Sequence, residues 1–309
     1  MKLSIVTTLY KSSEYVEEFY KRITKEAHKI TNDYEIIFVD DGSPDDSLQK
    51  CISLHTKDKR VKVIELSRNF GHHKAIMTGL SHAKGEFVFL IDSDLEEEPE
   101  LLGKFWEELQ NSEDLDVVYG VQESRRGGWF EQWSGDVYYK VFNYLADEGH
   151  TAKNVLTTRL MQKEYVNNII RFDEKEFFFA PITEMVGFNQ KEIIVKKLST
   201  SVTTYTFIHK YNLLINSIFT FSVKPLYMMF YLGLVITLFA ILFTSQLFIK
   251  KLIFNINIEG WTSVIASIWF FGGLIILFLG IIAIYISKIF IETKNRPFSI
   301  IKKIYRGLK

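Results

Sequence analysis

Short apolar runs alternate with amphipathic stretches from residue 3 to residue 121. The apolar runs predict β-strands at residues 3–8, 35–39, 61–66, 87–91 and 116–121. Between them, apolar positions recur at helical spacing and predict helices near residues 13–30, 45–55, 72–83 and 100–110. This alternation is typical of an α/β fold, in which helices cover both faces of a mostly parallel sheet.

The hydrophobic pattern changes after residue 205. Residues 206–225 are rich in aromatic and aliphatic side chains with few charges, which predicts helices lying at a membrane interface. Residues 226–249 and 262–287 carry no charge, and each run exceeds the roughly 20 residues that a helix needs to cross a bilayer. A pair of buried core helices is the alternative. Runs of this length favour two transmembrane helices, joined by an extracytoplasmic loop at residues 250–261.

Charge predicts how the chain is oriented. The tail, residues 288–309, contains seven Lys or Arg residues and only Glu292 as an acid, so the positive-inside rule places it in the cytosol. Two crossings return the chain to its starting side, so we expect a multi-pass protein of the inner (plasma) membrane with a cytosolic N-terminal domain. Over the whole chain 37 basic residues balance 37 acidic ones, which argues against a nucleic-acid partner. Cys51 is the single cysteine, which excludes a disulfide within the chain.

Acidic residues follow two of the predicted strands. In sheets of this kind ligands bind beyond the carboxyl ends of the strands. Asp92 and Asp94 follow the fourth strand, and their carboxylates form a hard oxygen pair suited to a divalent metal. The alternative is that the surrounding DSDLEEEPE is a solvated loop before a helix. The ends of the first two strands add Thr8, Tyr10, Asp40 and Asp41.

The segment VDDGSPDDS follows the second strand. Gly42 permits a tight turn, and Ser43 or Asp45 can cap the next helix. Asp40 or Asp41 is then free to accept hydrogen bonds from a ribose or a base, with capping alone as the alternative for one of them. No G-x-G-x-x-G follows the first strand, so the chain lacks the dinucleotide-binding signature.

The chain resembles the family 2 glycosyltransferases, which have the GT-A fold, in the segments SIVTTLY, IIFVDDGSPDDS, LSRNFGHHKAIMTGLSHAKGEFVFLIDSDLEEEPELL and TTRLM. The likeness is strongest to the membrane-bound polyprenyl-phosphate glycosyltransferases and covers nearly the whole chain. It implies a Rossmann-like sheet, a nucleotide-sugar donor, an Mg²⁺ or Mn²⁺ ion and a lipid-phosphate acceptor. It matches Asp40 and Asp41 to donor positions and Asp92, Asp94 and Glu96 to metal and diphosphate positions, while Arg159 keeps its place in the family motif. With the residues after the first strand added, the predicted donor-binding residues are Thr8, Tyr10, Asp40, Asp41 and Asp92. The predicted catalytic residues are Asp94 and Arg159.

Three departures from the family pattern matter. Where the family has D-A-D-L-Q, this chain has Glu96 in place of the glutamine, which adds negative charge near the metal. The first strand of the family ends in P-x-Y-N-E, of which this chain keeps only Tyr10, with Thr8 replacing the proline. The family's D-x-R-L-M, whose aspartate is assigned as the catalytic base, has Thr157 at that position.

The chemistry of the acceptor decides whether a base is needed. A sugar hydroxyl must be deprotonated as it attacks, whereas a phosphate monoester already carries about −1.5 to −2 charges near neutral pH. A phosphate acceptor therefore needs positioning by cations more than it needs a base. The predicted acceptor-phosphate residues are Arg125, Arg126 and Arg159. For the first two, a solvated loop is the alternative.

The histidines and Glu184 are the remaining candidates. His72 and His73 are adjacent at a helix start and point in different directions, which disfavours a shared metal site. His150 and His209 have no partners at ligand spacing. Glu184 could replace the missing acid or base, but a hydrogen-bonded polar residue under a loop is the simpler interpretation.

We therefore predict a GT-A catalytic domain over residues 1–205, an interfacial segment, a two-helix anchor and a basic tail. The predicted function is metal-dependent transfer of a sugar, with inversion, from a donor of the UDP-sugar type to polyprenyl (undecaprenyl) phosphate. Transfer takes place at the cytosolic face of the membrane, and a homo-oligomer is compatible with the sequence. The alternatives are a different lipid acceptor and a non-catalytic membrane protein that binds nucleotide sugars.

Overall fold

The protein divides into two compact units. The first comprises residues 1–140, 149–206 and 296–309, and the second comprises residues 141–148 and 207–295. The computed structural model describes residues 1–112, 114–122, 140, 142–145, 154–175, 179–196, 215, 218–220, 222–254 and 260–306. Four candidates from the sequence lie outside the described residues: Arg125, Arg126, His150 and His209.

The first unit alternates strands and helices along its N-terminal half, as predicted. Its strands are β1 (Leu3–Leu9), β2 (Tyr34–Asp40), β3 (Val61–Leu66), β4 (Phe87–Leu90), β5 (Val117–Gln122), β6 (Val155–Gln162), β7 (Gln190–Val195) and β8 (Ile301–Tyr305). Its helices are α1 (Val16–Ile30), α2 (Ser47–Lys57), α3 (His72–His82), α4 (Leu101–Gln110), α5 (Lys163–Ile169) and α6 (Phe179–Met185).

These strands form one mixed sheet in the order β7-β5-β6-β4-β1-β2-β3-β8. Strand β1 lies at its centre and pairs in parallel with both β2 and β4, and β2 pairs in parallel with β3. Strands β5 and β7 are also parallel, whereas β6 and β8 run antiparallel to their neighbours. The predicted α/β fold with a mostly parallel sheet is confirmed. The carboxyl ends of β1, β2 and β4 meet at one edge.

The core explains why the central strands are continuous apolar runs. Every residue of β1 and β2 is buried, as expected for strands covered on both faces. On one face α1 and α4 contribute aromatic side chains, and the rings of Phe19 and Phe38 and those of Phe89 and Phe105 meet edge to face. On the other face α3 lies close to the sheet. Gly79 allows this approach, because a Cβ at this position would overlap the side chain of Val6.

The tail after the last helix contributes an edge strand, which the sequence analysis missed. Strand β8 pairs with β3, and the backbone N–H of Ser67 donates to the carbonyl oxygen of Ile300 at 2.9 Å. Lys302 Nζ lies 2.6 Å from one oxygen of the buried Glu65 carboxylate, and the Tyr305 hydroxyl donates to the other at 3.1 Å. The segment that follows the long helices therefore belongs to the same folded unit as the N-terminus.

The second unit contains two long helices, α7 (Lys224–Phe254) and α8 (Trp261–Thr293). Within them, Lys224–Phe243 and Ser267–Thr293 are long and apolar enough to cross a membrane, and neither stretch is buried. A pair of buried core helices is therefore not what the structure describes. Large side chains such as Phe239, Leu242 and Trp269 are exposed along their length.

Candidate functional site

The candidate site is built at the carboxyl edge of the three central parallel strands. Leu9 pairs with Asp40 across β1 and β2, and Val6 pairs with Leu90 across β1 and β4. Thr8, near the end of β1, therefore lies between the acidic residue that ends β2 and the acidic loop that follows β4. The structure brings together at this edge the residues that the sequence placed there.

Asp41 holds the loop that precedes α3. Its two carboxylate oxygens accept the backbone N–H groups of Phe70 and Gly71 at 2.7 and 2.9 Å. Its own backbone N–H donates to the carbonyl oxygen of Leu9 at 3.0 Å. Burial raises the pKa of Asp41, while the two backbone hydrogen bonds oppose this rise. Both oxygens of Asp41 are thus engaged in fixing the loop.

Asp40 differs from its neighbour in having an oxygen to spare. The side chain is only 2% exposed. One oxygen accepts the backbone N–H of Ser43 at 3.4 Å, while Oδ1 has no hydrogen-bond partner among the described residues. Burial raises the pKa of Asp40, while hydrogen bonding to Ser43 opposes this rise and the nearby charge of Glu65 adds to it. A buried carboxylate oxygen without a partner is costly, and a ligand N–H or O–H group at this position would satisfy it.

Asp45, rather than Asp40 or Asp41, contacts the start of α2. Asp45 accepts the backbone N–H and the hydroxyl of Ser47 at 3.3 and 2.6 Å, at the start of α2. Its second oxygen accepts the backbone N–H of Ser13 at 3.1 Å. Asp40 is therefore not needed to start this helix.

Gly42 allows the two loops to pack backbone against backbone. Its φ of 66° lies in the left-handed region, and a Cβ there would lie 2.6 Å from the backbone nitrogen of Asn69. We expect Gly42→Ala to lower the free energy of unfolding by about 2 kcal/mol, because an L side chain resists this φ and the loop must move. Thermal unfolding measures the effect.

The matched control for Gly42 is a glycine in ordinary helical backbone. A Cβ added at Gly103 in α4 meets no atom closer than 3.4 Å. We expect Gly103→Ala to leave the unfolding midpoint unchanged or raise it, since alanine favours helix. Equal midpoints for the two variants would contradict the role given to Gly42.

The acidic loop after β4 is tied to β1 by its central serine. Ser93 Oγ donates to the carbonyl oxygen of Thr8 at 2.9 Å. Asp94 Oδ1 accepts the backbone N–H of Glu96 at 3.0 Å, and Leu95 between them has a φ of 59°. Asp92 remains 24% exposed at its side chain. The loop therefore has a defined geometry with Asp92 open to a ligand.

The metal set predicted from the sequence, Asp92, Asp94 and Glu96, stays a prediction. Among the described residues, no group of three or more His, Cys, Asp or Glu side chains is arranged to hold a metal ion. Glu96 is buried, beyond the left-handed turn at Leu95. Carboxylates such as those of Asp92 and Asp94 fit a hard divalent ion and leave coordination positions for oxygens of a ligand.

Sequence reasoning missed His72 as part of this edge. Its Nδ1 lies 3.1 Å from Thr8 Oγ1, and its Nε2 lies 3.5 Å from Asp92 Oδ1. The signal that could have found it is its position as the first residue of α3, since this helix starts at the same sheet edge. The neighbouring His73 ring is tilted by 51° to it.

Tyr10 lies just past β1 and is half exposed. Its backbone N–H donates to Ser12 Oγ at 3.3 Å, and Lys11 Nζ lies 5.6 Å from the ring centroid. The left-handed backbone of Lys11, with a φ of 57°, turns the chain at this point. The aromatic ring is therefore open to solvent and available for contact with a ligand.

Arg159, predicted for catalysis and for the acceptor phosphate, is a buried residue of β6. It is 1% exposed and donates to the carbonyl oxygens of Thr157 and Leu156 at 3.2 and 3.3 Å. Its guanidinium lies 4.6 Å from the centroid of the Phe179 ring. Burial lowers the pKa of Arg159, and the charge of Glu184 opposes this. These contacts hold Arg159 against β6, and its roles in catalysis and in binding the acceptor phosphate stay predictions.

Glu184 belongs to the same interior cluster. Burial raises its pKa, and the charge of Arg159 lowers it. The neighbouring Tyr165 donates its hydroxyl to the carbonyl oxygen of Thr183 at 2.7 Å, and burial raises the pKa of Tyr165 to about 12. The nearby charge of Arg159 favours the interpretation of Glu184 as a compensated polar residue.

The sequence of this chain is similar to those of known proteins. The model of the family described as "Glycosyl transferase family 2" matches residues 4–171. "Putative glycosyltransferases" of Mycobacterium tuberculosis (strain CDC 1551 / Oshkosh) are 48% identical over 305 residues, which is 99% of this chain and 89% of the relative. The SfII prophage-derived bactoprenol glucosyl transferase of Shigella flexneri is 30% identical over 309 residues, which is 99% of each chain.

A solved structure shares the architecture. The crystal structure of M. tuberculosis glucosyl-3-phosphoglycerate synthase matches with a TM-score of 0.51 and 14% identity, over 71% of this chain and 78% of that chain. At this identity the likeness concerns the fold alone.

Proposed function

Since the chain belongs to glycosyl transferase family 2, and is a glycosyltransferase with the predicted GT-A fold, we propose that it transfers a sugar from a nucleotide-sugar donor to a polyprenyl phosphate. One observation carries the choice of acceptor. The likeness to the bactoprenol glucosyl transferase extends over 99% of both chains, and so includes the two long apolar helices as well as the domain that the family model matches.

The spare oxygen of Asp40 supports the placement of the donor's nucleoside. A buried acceptor at the end of β2 suits an N–H or O–H group of a base or ribose, since that contact removes an unsatisfied group from the interior. Tyr10 offers an exposed ring at the same edge. We propose a UDP-sugar as the donor, because a uracil N–H group can satisfy this oxygen. Asp41 contributes to this subsite by holding the 70–71 backbone with its two carboxylate oxygens.

Asp92 and Asp94 would hold an Mg²⁺ or Mn²⁺ ion together with oxygens of the donor diphosphate, with Glu96 as a source of further negative charge. Such an ion offsets the charge of the leaving diphosphate when it is bound. The residues themselves orient the diphosphate at the edge of the sheet, beside the nucleoside subsite. The ion and these residues allow an anionic acceptor to approach.

We propose a single displacement that inverts the anomeric centre. A phosphate oxygen of the acceptor forms a bond to the anomeric carbon while the bond from that carbon to the donor diphosphate breaks, and the nucleoside diphosphate leaves. The acceptor is already anionic, so no side chain has to remove a proton from it. Thr157 can therefore stand where the family has its aspartate. We propose Arg125, Arg126 and Arg159 as the cations for the acceptor phosphate.

The two long helices support a place in the membrane. Their exposed apolar side chains form surfaces larger than a water-soluble monomer ordinarily exposes. Strand β8, which follows α8, pairs with β3, which precedes α7, and this pairing supports a location of both strands on one side of a membrane. We propose that α7 and α8 each cross the inner membrane once. The basic tail then places the catalytic domain on the cytosolic side.

Incubation of the detergent-solubilised full chain with undecaprenyl phosphate, Mn²⁺ and radiolabelled nucleotide sugars tests this proposal. We expect label from at least one donor, first of all a UDP-sugar, to enter the organic phase. Absence of lipid-soluble label from every donor would contradict it. A parallel incubation with diacylglycerol distinguishes a different lipid acceptor, and release of free sugar without lipid product distinguishes hydrolysis.

A further inference from the structure

His72 occupies a junction between two of the strands that build the site. Its ring lies between the hydroxyl of Thr8 at the end of β1 and the carboxylate of Asp92 after β4, at 3.1 and 3.5 Å. The imidazole is 44% exposed, so it borders the open edge where Asp92 meets a ligand. None of the roles assigned above uses this residue.

The chemistry of the three groups sets the orientation of the ring. Thr8 and His72 form a hydrogen bond, and Asp92 Oδ1 lies 3.5 Å from Nε2. An ionised carboxylate only accepts, so a neutral imidazole with its proton on Nε2 would turn that proton toward Asp92. Nδ1 then carries the lone pair and accepts the O–H of Thr8. The hydroxyl thereby fixes both the tautomer and the orientation of the ring, as the outer partners of ligating side chains commonly do.

The backbone around the junction holds it in place. Asp41 fixes the 70–71 backbone immediately before His72, and Gly71, with a φ of 102°, begins α3 in a conformation that favours glycine. The carbonyl oxygen of Thr8 accepts the hydroxyl of Ser93, next to Asp92. Thr8 therefore supports the acidic loop twice, through its carbonyl group and through its hydroxyl.

We infer that Thr8 and His72 form a positioning relay that orients the Asp92 carboxylate toward the donor diphosphate and its ion, an inference that rests on the proposed function. Both are positioning residues, because they act through Asp92. The relay also accounts for the departure at Thr8. The proline of the family pattern has no hydroxyl and could not hold His72 in this orientation.

A matched series of variants in the full-length detergent-solubilised protein tests the relay. Isothermal titration measures the affinity for UDP and for GDP, each with and without Mn²⁺. Removing a neutral hydrogen bond weakens binding by about two- to tenfold, so we expect Thr8→Val to weaken Mn²⁺-dependent nucleotide binding by that factor. His72→Ala should weaken it at least as much, while Thr8→Ser, which keeps a hydroxyl, should restore most of the affinity.

Three comparisons separate a relay from general damage. The Thr8→Val/His72→Ala double variant should bind no more weakly than His72→Ala alone, because both changes break the same chain of contacts. Nucleotide binding without Mn²⁺ should change little in every variant, since the nucleoside subsite at Asp40 is separate. Thr56→Val provides the same chemical change on α2, where the hydroxyl bonds only its own helix backbone, and should leave both affinities as they are.

Equal affinities for Thr8→Val and Thr8→Ser, or additive losses in the double variant, would overturn the relay while leaving the proposed function standing. A comparable loss of metal-free binding in the relay variants would overturn it too. A wild-type protein that binds neither nucleotide, with or without Mn²⁺, would overturn the proposed function, and the relay with it.

Discussion

Replacement of Asp94 by asparagine is expected to lower the rate of sugar transfer by at least about 10³-fold, because a neutral amide is a poor ligand for a hard divalent ion. A loss of that size corresponds to about 4 kcal/mol of transition-state stabilisation, which is within the range for charge neutralisation by a bound metal. The asparagine variant tests the role of the charge more specifically than an alanine variant does. Its carbonyl oxygen can still accept the backbone N–H of Glu96, so the turn is kept while the charge is lost.

The assay is transfer of label to lipid under single-turnover conditions with saturating donor. Asp114→Asn serves as the control, because it removes one negative charge from an exposed position of the same unit. We expect Asp94→Ala to be as inactive as Asp94→Asn. Turnover near the wild-type rate in the asparagine variant would remove Asp94 from the metal site.

The second large effect is expected at Asp40, where binding and stability should change in opposite directions. A hydrogen bond to a charged group contributes about 1.5–3 kcal/mol, so Asp40→Asn should weaken donor binding by about 10- to 100-fold. Because the wild-type carboxylate is buried with an oxygen that lacks a partner, the unfolding midpoint at neutral pH should stay the same or rise. Titration of the nucleotide and thermal unfolding measure the two quantities.

The pH dependence of stability adds a test of the cause. Burial raises the pKa of Asp40, so the folded state holds its proton more tightly than the unfolded chain does. The contribution of this group to the free energy of unfolding therefore falls as the pH rises from the ordinary value of about 3.9 through the raised pKa. The asparagine variant has no such decrease in its free energy of unfolding. Its stability relative to wild type should therefore increase as the pH rises from the ordinary pKa of aspartate through the raised pKa of Asp40. A difference that is independent of pH would contradict the assignment.

Asp41 supplies the matched comparison, since it is equally buried but fully engaged. Asp41→Asn leaves one oxygen for two backbone N–H groups, those of Phe70 and Gly71. One partly buried donor then loses its acceptor, which costs about 1 kcal/mol. We expect the unfolding midpoint to fall in this variant while it rises or holds in Asp40→Asn. The opposite order would show that the two roles have been exchanged.

Much of the fold could be predicted because its signals are local. The apolar runs of β1 and β2 report burial on both faces, and the helical spacing between them reports the covering helices. Once the alternation indicates a parallel sheet, the acidic residues after β2 and β4 must meet at one edge, whatever the details of packing. The long uncharged runs that became α7 and α8 are equally a matter of composition.

The sequence by itself thus determined the fold class, the sheet edge that carries the site and the family, because periodicity and short motifs depend on near neighbours. Tertiary structure alone decided which of Asp40 and Asp41 keeps a free oxygen, since that depends on where the 70–71 backbone lies. It also decided that Arg159 is buried and that His72 reaches Asp92. The pairing of β8 with β3 brings Glu65 to Lys302 across 237 positions, and contacts at such separations leave no periodic trace in either segment.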